Sequence, residues 1–241
     1  MTWLPPRKPD PSAILTEAEG DAKARRYREA LAKHLWFHRH ALKHRSSLAG
    51  VRLSFALHSW LKLGAKYRPA LTALRAARDE AKARLRARRG TWHDFHDLKA
   101  LNSYLGEERA TAHLFTWLDQ NRPSMAKQCY PVAQSALIRT RQYRLCGKYI
   151  DTDESLGSIL RLYRLHKKMA KRPERYGSDL LDYAERTFSN QTTTLAALLT
   201  RNGRGAEADH VIFAVTKVKP GRRFKSDLNA ARKGKVPAQW P

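Results

Sequence analysis

Apolar residues recur at three- and four-residue spacing along almost the whole chain, and nowhere alternate with period two over a convincing length. That periodicity restricts the fold class more than any other feature: it excludes a sheet protein and predicts an all-α one. Glycine, proline and short polar turns interrupt the pattern at intervals of one helix length. Short connections between helices make sequence neighbours antiparallel neighbours in space. The expected architecture is therefore an α-α superhelix of stacked helical hairpins, since one hairpin cannot bury its apolar face alone.

Three regions are expected. Residues 1–15 carry four prolines and read as an irregular N-terminal arm. Residues 16–216 read as the helical repeat domain. Thr16 and Glu19 form a capping-box pattern that opens a helix, carried on by Tyr27, Leu31, Leu35 and Leu42 to about His44. A second helix is expected over 48–63, with Leu53, Leu57 and Trp60 on its apolar stripe and Gly64 as its C′ residue. Pro69 opens a third helix that ends at Gly90. Further helices are expected over 93–105, 107–120, 125–140, 143–150, 154–171, 180–201 and 206–218. Residues 217–241 read as a basic, disordered tail.

The segment from Phe95 to Pro123 resembles a tetratricopeptide repeat. Phe95 stands at the first aromatic position, Leu98 at the following leucine, Gly106 at the turn, Phe115 at the second-helix aromatic and Pro123 at the closing proline. Lys99, Thr111 and Leu118 depart from the family, which prefers small residues there. The turn at Arg141, Gln142 and Tyr143 follows Gly106 by 35 residues, close to the ~34-residue family period. There Tyr130 takes the first aromatic place and Cys146 the small one; the hairpin from Leu195 to Val215 has Ala196, Gly203 and Ala208 in matching places. The segment around Trp36-Phe37-His38, residues 50–57 and 64–71, and the run 143–149 are similar to a bacterial family of tetratricopeptide-like proteins to which no activity is attached. The resemblance implies a tetratricopeptide-like part at about 92–216 and a groove for a peptide or protein.

Lysine and arginine number 47 against 22 aspartates and glutamates, a formal charge of +25. Such an excess attracts polyanions. Acidic proteins and nucleic acid are the natural partners, with anionic lipid weaker; no membrane is assigned as a partner, because no run of ~18 apolar residues occurs. The sharpest pattern is in the third helix, where Arg75, Arg78, Lys82, Arg86 and Arg89 fall on one stripe suited to tracking phosphates. The tail adds Arg222, Arg223 and Lys225, with Phe224 and Trp240 able to stack on bases. The other reading of these charges is a solvated surface.

No chemistry-bearing motif stands out. The pairs His34/His38 and His40/His44 have a spacing that can hold a metal, yet offer only two ligands each, and packing at the core edge explains them as well. His93, Asp94, His96 and Asp97 cluster at a helix start, where aspartates suit the dipole without catalysis. Cys129 and Cys146 fit no zinc or disulfide pattern and read as small buried groups. Gly147-Lys148 and Gly234-Lys235 lack the remaining residues of a phosphate loop. No cofactor or metal is expected. The first function class is thus a non-catalytic scaffold that binds an acidic peptide or protein, the second a nucleic-acid binder, the third an enzyme for which no nucleophile can be named. With no apolar signal segment at the N-terminus, the expected location is the cytoplasm.

Overall fold

The computed structural model describes residues 3–219 and 221–239. All regular structure among them is helical, and no helix there is long and apolar enough to cross a membrane. The chain divides into two compact units, residues 1–133 and 134–241.

Unit 1 contains α1 (Pro11–Lys23), α2 (Tyr27–His44), a short 3₁₀ turn (Ser46–Leu48), α3 (Ala49–Leu53), α4 (Phe55–Lys66), α5 (Arg68–Arg86), α6 (Trp92–Leu105) and α7 (Glu108–Asn121). The boundary between units falls within α8 (Pro123–Arg139). In unit 1, α1 packs on α2, α4 on α5 and α5 on α6. Leu57, Trp60, Leu63, Leu74 and Leu101 fill the main core, and the Trp60 indole donates to the Ala70 carbonyl at 3.0 Å. A second cluster gathers Phe37, Ala41 and Ala56.

The N-terminal arm is shorter than expected. Helix α1 starts at Pro11, not Thr16, because Asp10 caps it by accepting from the Ser12 N–H at 2.9 Å and Pro11 has no N–H to lose. Thr16 lies inside α1, bonded to the Ser12 carbonyl. The long helix expected up to His44 is two helices. Arg25 adopts φ 62°, and the reversal brings Asp21 against Arg26 (2.6 Å) and Lys33 (2.7 Å). The second expected helix is broken too, at Ser54. Gly64 does not end α4 but lies within it. A Cβ there would stand 3.2 Å from Leu71 Cβ, so its lack of a side chain admits α5.

The α6–α7 hairpin keeps the sequence expectation closely. Thr91 and Asp94 form a capping box, and Gly106 ends α6 at φ 71°. Phe95 and Phe115 meet edge to face at 6.2 Å. Thr111 is buried, and its hydroxyl accepts from the Asn102 side chain at 3.0 Å.

Unit 2 continues with α9 (Tyr143–Tyr149), α10 (Thr152–Met169), α11 (Pro173–Tyr176), α12 (Leu180–Arg201), α13 (Gly205–Val218) and α14 (Arg222–Arg232). Helix α12 packs against α9, α10, α13 and α14. It is buried on most sides from Thr192 to Leu199. Neighbour-to-neighbour stacking of hairpins would leave a helix fewer partners. The stretch expected as tetratricopeptide-like, 92–216, contains the unit boundary, and its helices in unit 2 gather about α12.

The expected disordered tail is the largest correction. Residues 222–232 form α14, because Phe224, Leu228 and Ala231 recur at helical spacing and are all buried. Gly234 follows with φ 75°, and residues 235–239 run on without regular structure. Pro220 and Trp240 lie outside the described residues.

Candidate anion-binding groove

Helices α12 and α14 and the residues after α14 enclose a groove of about 810 Å³ in unit 2. From α12 come Asp182, Glu185, Arg186, Ser189 and Thr193, whose spacing puts them on one helix face. From α14 come Arg222, Arg223 and Asp227. Phe224 anchors α14 below them, 5.9 Å from Phe188 of α12, which itself stacks on Tyr163 of α10 at 4.3 Å. The chain beyond α14 is tied to α12 at two points. Arg201 Nε donates to the Gly234 carbonyl at 2.6 Å, and Asn190 Nδ2 to the Ala238 carbonyl at 2.6 Å. Lys235 and Pro237 thereby join the wall.

The charges in this groove are unequally matched. Arg186 pairs with Asp182 at 2.9 Å. Lys219 pairs with Glu185 at 3.2 Å and also donates to Ser189 Oγ at 3.1 Å. Arg222, Arg223 and Lys235 make no ion pair among the described residues, whereas the one carboxylate in the same position is Asp227. Exposed guanidinium groups beside a concave wall are suited to a carboxylate or phosphate, which they can hold with paired N–H donors.

Of the tail residues expected to meet an anion, Arg222 and Arg223 line the groove, and Lys225 lies on the exposed side of α14. Phe224 is buried under its helix and cannot stack on a base.

The other stripe belongs to unit 1. Arg75 and Arg86 are exposed on α5, Arg89 is exposed just beyond it, and Lys82 is half-buried. Arg86 lies over the Trp117 ring at 5.7 Å. Arg78 is a correction to the expected anion contacts: it turns inward to Asp79 (2.6 Å), Glu107 and Asn102, tying α5 to the α6–α7 turn. Burial acts to lower its pKa, but its bonds to Asp79 and Glu107 outweigh that and raise it.

The histidines have packing roles. His34 and His38 both lie against Trp60, with ring centroids 6.2 and 5.7 Å away, and His40 and His44 both lie against Trp36. Burial pushes the pKa of His34 down to about 4; burial and the nearby Arg52 do the same to His38. Among the described residues no group of three His, Cys, Asp or Glu side chains gathers as a metal site. The cluster at the start of α6 is dispersed. Asp94 accepts from the Thr91 N–H and pairs with Arg84, Asp97 pairs with the buried Arg52, and His93 and His96 lie against Trp92. Both cysteines are buried, and burial pushes the Cys129 thiol up to about 12.

Of the groove's cations, Arg222 and Arg223 stand out in the sequence; the α12 wall does not. The i,i+4 steps Asp182–Arg186 and Ser189–Thr193, opposite the apolar face of a 22-residue helix, were the available signal. Compared with protein-family models, curated proteins and solved structures, the chain shows no match.

Proposed function

We propose that this chain is a non-catalytic binding protein built of tetratricopeptide-like helical hairpins, which takes an acidic peptide or protein segment in the groove between α12 and α14. The carrying observation is that Arg222, Arg223 and Lys235 face one concave wall without ion-pair partners among the described residues. The α6–α7 hairpin, with Phe95 against Phe115 and Gly106 at the turn, supports the repeat relationship. A peptide suits the groove better than a polyphosphate does. Asp182, Glu185 and Asp227 share the lining, and a continuous line of phosphates would meet them. A peptide can set its carboxylates at the arginines and place neutral or basic side chains elsewhere. The cytoplasm is the compartment we infer for this role, where the thiols of Cys129 and Cys146 would remain reduced.

Nucleic acid is the second reading, favoured by Arg75, Lys82, Arg86 and Arg89, which make no ion pair among the described residues. Fluorescence anisotropy of nuclease-treated protein separates the two. A labelled Asp/Glu-rich peptide and a labelled single-stranded RNA of similar charge are titrated over a salt series. The groove reading expects Arg222→Glu with Arg223→Glu to weaken the peptide about tenfold or more, and Arg75→Glu with Arg89→Glu to leave it nearly unchanged. Tighter RNA binding, with a steep salt slope that flattens on the Arg75/Arg89 reversal, would replace it by the nucleic-acid reading.

A further inference from the structure

Helix α10 has two faces with different neighbours. Thr152, Leu156 and Tyr163 are buried, and Tyr163 stacks on Phe188 of α12. On the opposite side Leu162 and Leu165 are 36% and 52% exposed. They stand three residues apart and so project together. Beside them Arg161, Arg164 and Lys168, at i, i+3 and i+7, form a parallel exposed basic stripe. Tyr183 of α12, 39% exposed, lies against His166 at 5.8 Å and extends the apolar strip. Between residues 161 and 175 there are seven lysines and arginines and a single carboxylate, Glu174. None of the residues of this face lines the α12–α14 groove.

We propose that the solvent face of α10 is a docking surface for an anionic lipid bilayer, with Leu162 and Leu165 entering the headgroup–acyl boundary and Arg161, Arg164 and Lys168 contacting lipid phosphates. This goes beyond the groove function and revises the sequence expectation that no membrane is a partner. Exposed leucine beside arginine and lysine on one helix is the composition of an interfacial helix. Charge complementarity names the lipid: a cationic strip of this density is drawn to an anionic leaflet and not to a neutral one. The leucines discriminate among polyanions. They offer no hydrogen bond and no ring to stack on bases, so nucleic acid gains nothing from them, whereas a bilayer takes them out of water. The surface is the convex side of a helix, which suits a deformable layer better than a peptide that needs a groove to enter.

Flotation of the full chain with phosphatidylcholine vesicles, with and without phosphatidylglycerol, tests this. Binding is expected only to the anionic vesicles. Leu162→Ser with Leu165→Ser is expected to reduce it about tenfold while the far-ultraviolet circular dichroism stays unchanged. Arg161→Glu with Arg164→Glu should reduce it similarly, and Arg75→Glu with Arg89→Glu in unit 1 should matter much less. A Leu165→Trp variant should become quenched by vesicles carrying brominated acyl chains, a readout that general attraction between charges does not produce. Vesicle binding indifferent to the serine pair, with the indole of the Leu165→Trp variant unquenched, would show attraction by net charge alone and overturn the proposal. So would an absence of vesicle binding in a protein whose α10 face retains RNA or an acidic peptide.

Discussion

At Gly147 a single hydrogen atom decides how closely two helices approach. A Cβ there would overlap the Asn202 carboxamide, whose Nδ2 donates to the carbonyls of Tyr143 (3.0 Å) and Leu198 (2.7 Å). Asn202 thereby links α9 to the end of α12, and Gly147 makes room for it. Gly147→Ala is expected to destabilise unit 2 by about 1–3 kcal/mol, because the amide must either move and lose its bonds or push α9 away. Urea denaturation of the variant beside Gly157→Ala checks this: Gly157 would meet only the flexible end of Arg161, so the second substitution should cost little. A buried histidine makes a second residue-scale prediction. His34 and His38 have folded values of about 4 against an ordinary 6.5, so the unfolded chain takes up protons first as pH falls. Their contribution is complete above pH 6.5 and is lost as the pH drops toward 4. Around His38 the cations Arg52, Arg39 and Arg84 oppose protonation and Asp97 favours it, so the effect is the balance of these and burial. From pH 7.5 to pH 5 the loss should be roughly 2 kcal/mol per histidine. His34→Phe, which keeps a ring against Trp60, should remove about half of that dependence in urea titrations; an unchanged slope would assign it elsewhere.

At the scale of elements, a buried pair of opposite charge decides a turn that hydrophobic periodicity could not. Lys33 and Asp21 are both more than nine-tenths buried and meet at 2.7 Å, so that α2 folds back on α1. Burial acts to raise the Asp21 pKa, yet the bonds from Lys33 and Arg26 outweigh it and bring it below its ordinary value. Asp21→Ala would leave the Lys33 ammonium buried with the more exposed Glu17 at 2.9 Å and the Trp3 ring at 5.8 Å, and should cost about 3–5 kcal/mol. Replacing both partners together, Asp21→Leu with Lys33→Met, should cost much less, which a double-mutant cycle in urea measures. These residues also show what was legible in the sequence. Helix type and most boundaries follow from periodicity, as at α6, α7 and α12, where apolar spacing and a turn glycine agree. The break at Arg25 has no glycine or proline to mark it; it depends on Asp21 reaching Arg26 and Lys33 after the chain has turned. Helix α14 was hidden for a different reason. Its basic residues dominate the composition, and the three apolar positions that hold it to α12 are few enough to be lost among them. The groove was half legible: Arg222 and Arg223 stand out as cations, but the α12 wall that makes them a site is visible only once α14 has somewhere to pack. Phe224→Ala should therefore release α14 before the rest of unit 2, seen as faster amide exchange over 222–232 with α12 still protected.

At the scale of the whole molecule, charge balance determines how the protein responds to its solvent. If every one of the 22 carboxylates paired with a cation, 25 of the 47 lysines and arginines would still lack a partner. Two effects of salt then oppose each other. Screening weakens ion pairs such as Arg39–Glu80 and Arg232–Asp209, which are half exposed at both ends and worth little each. It also weakens the repulsion among the surplus cations, which acts over a screening length of ~10 Å at 0.1 M salt and opposes the compact state everywhere at once. The surplus should win, so the melting temperature should rise as sodium chloride is increased. A fall would mean that the ion pairs are a larger source of stability than their exposure implies. Binding adds a second contribution that can be separated from screening. A ligand that prefers the folded state stabilises it in proportion to the logarithm of its concentration over its dissociation constant. At equal ionic strength, an Asp/Glu-rich peptide should therefore raise the melting temperature above the sodium chloride value by several degrees. Arg222→Glu with Arg223→Glu should abolish that extra increment while leaving the chloride response nearly intact, because two reversed charges remove the α14 arginines of the groove but only a small part of the surplus.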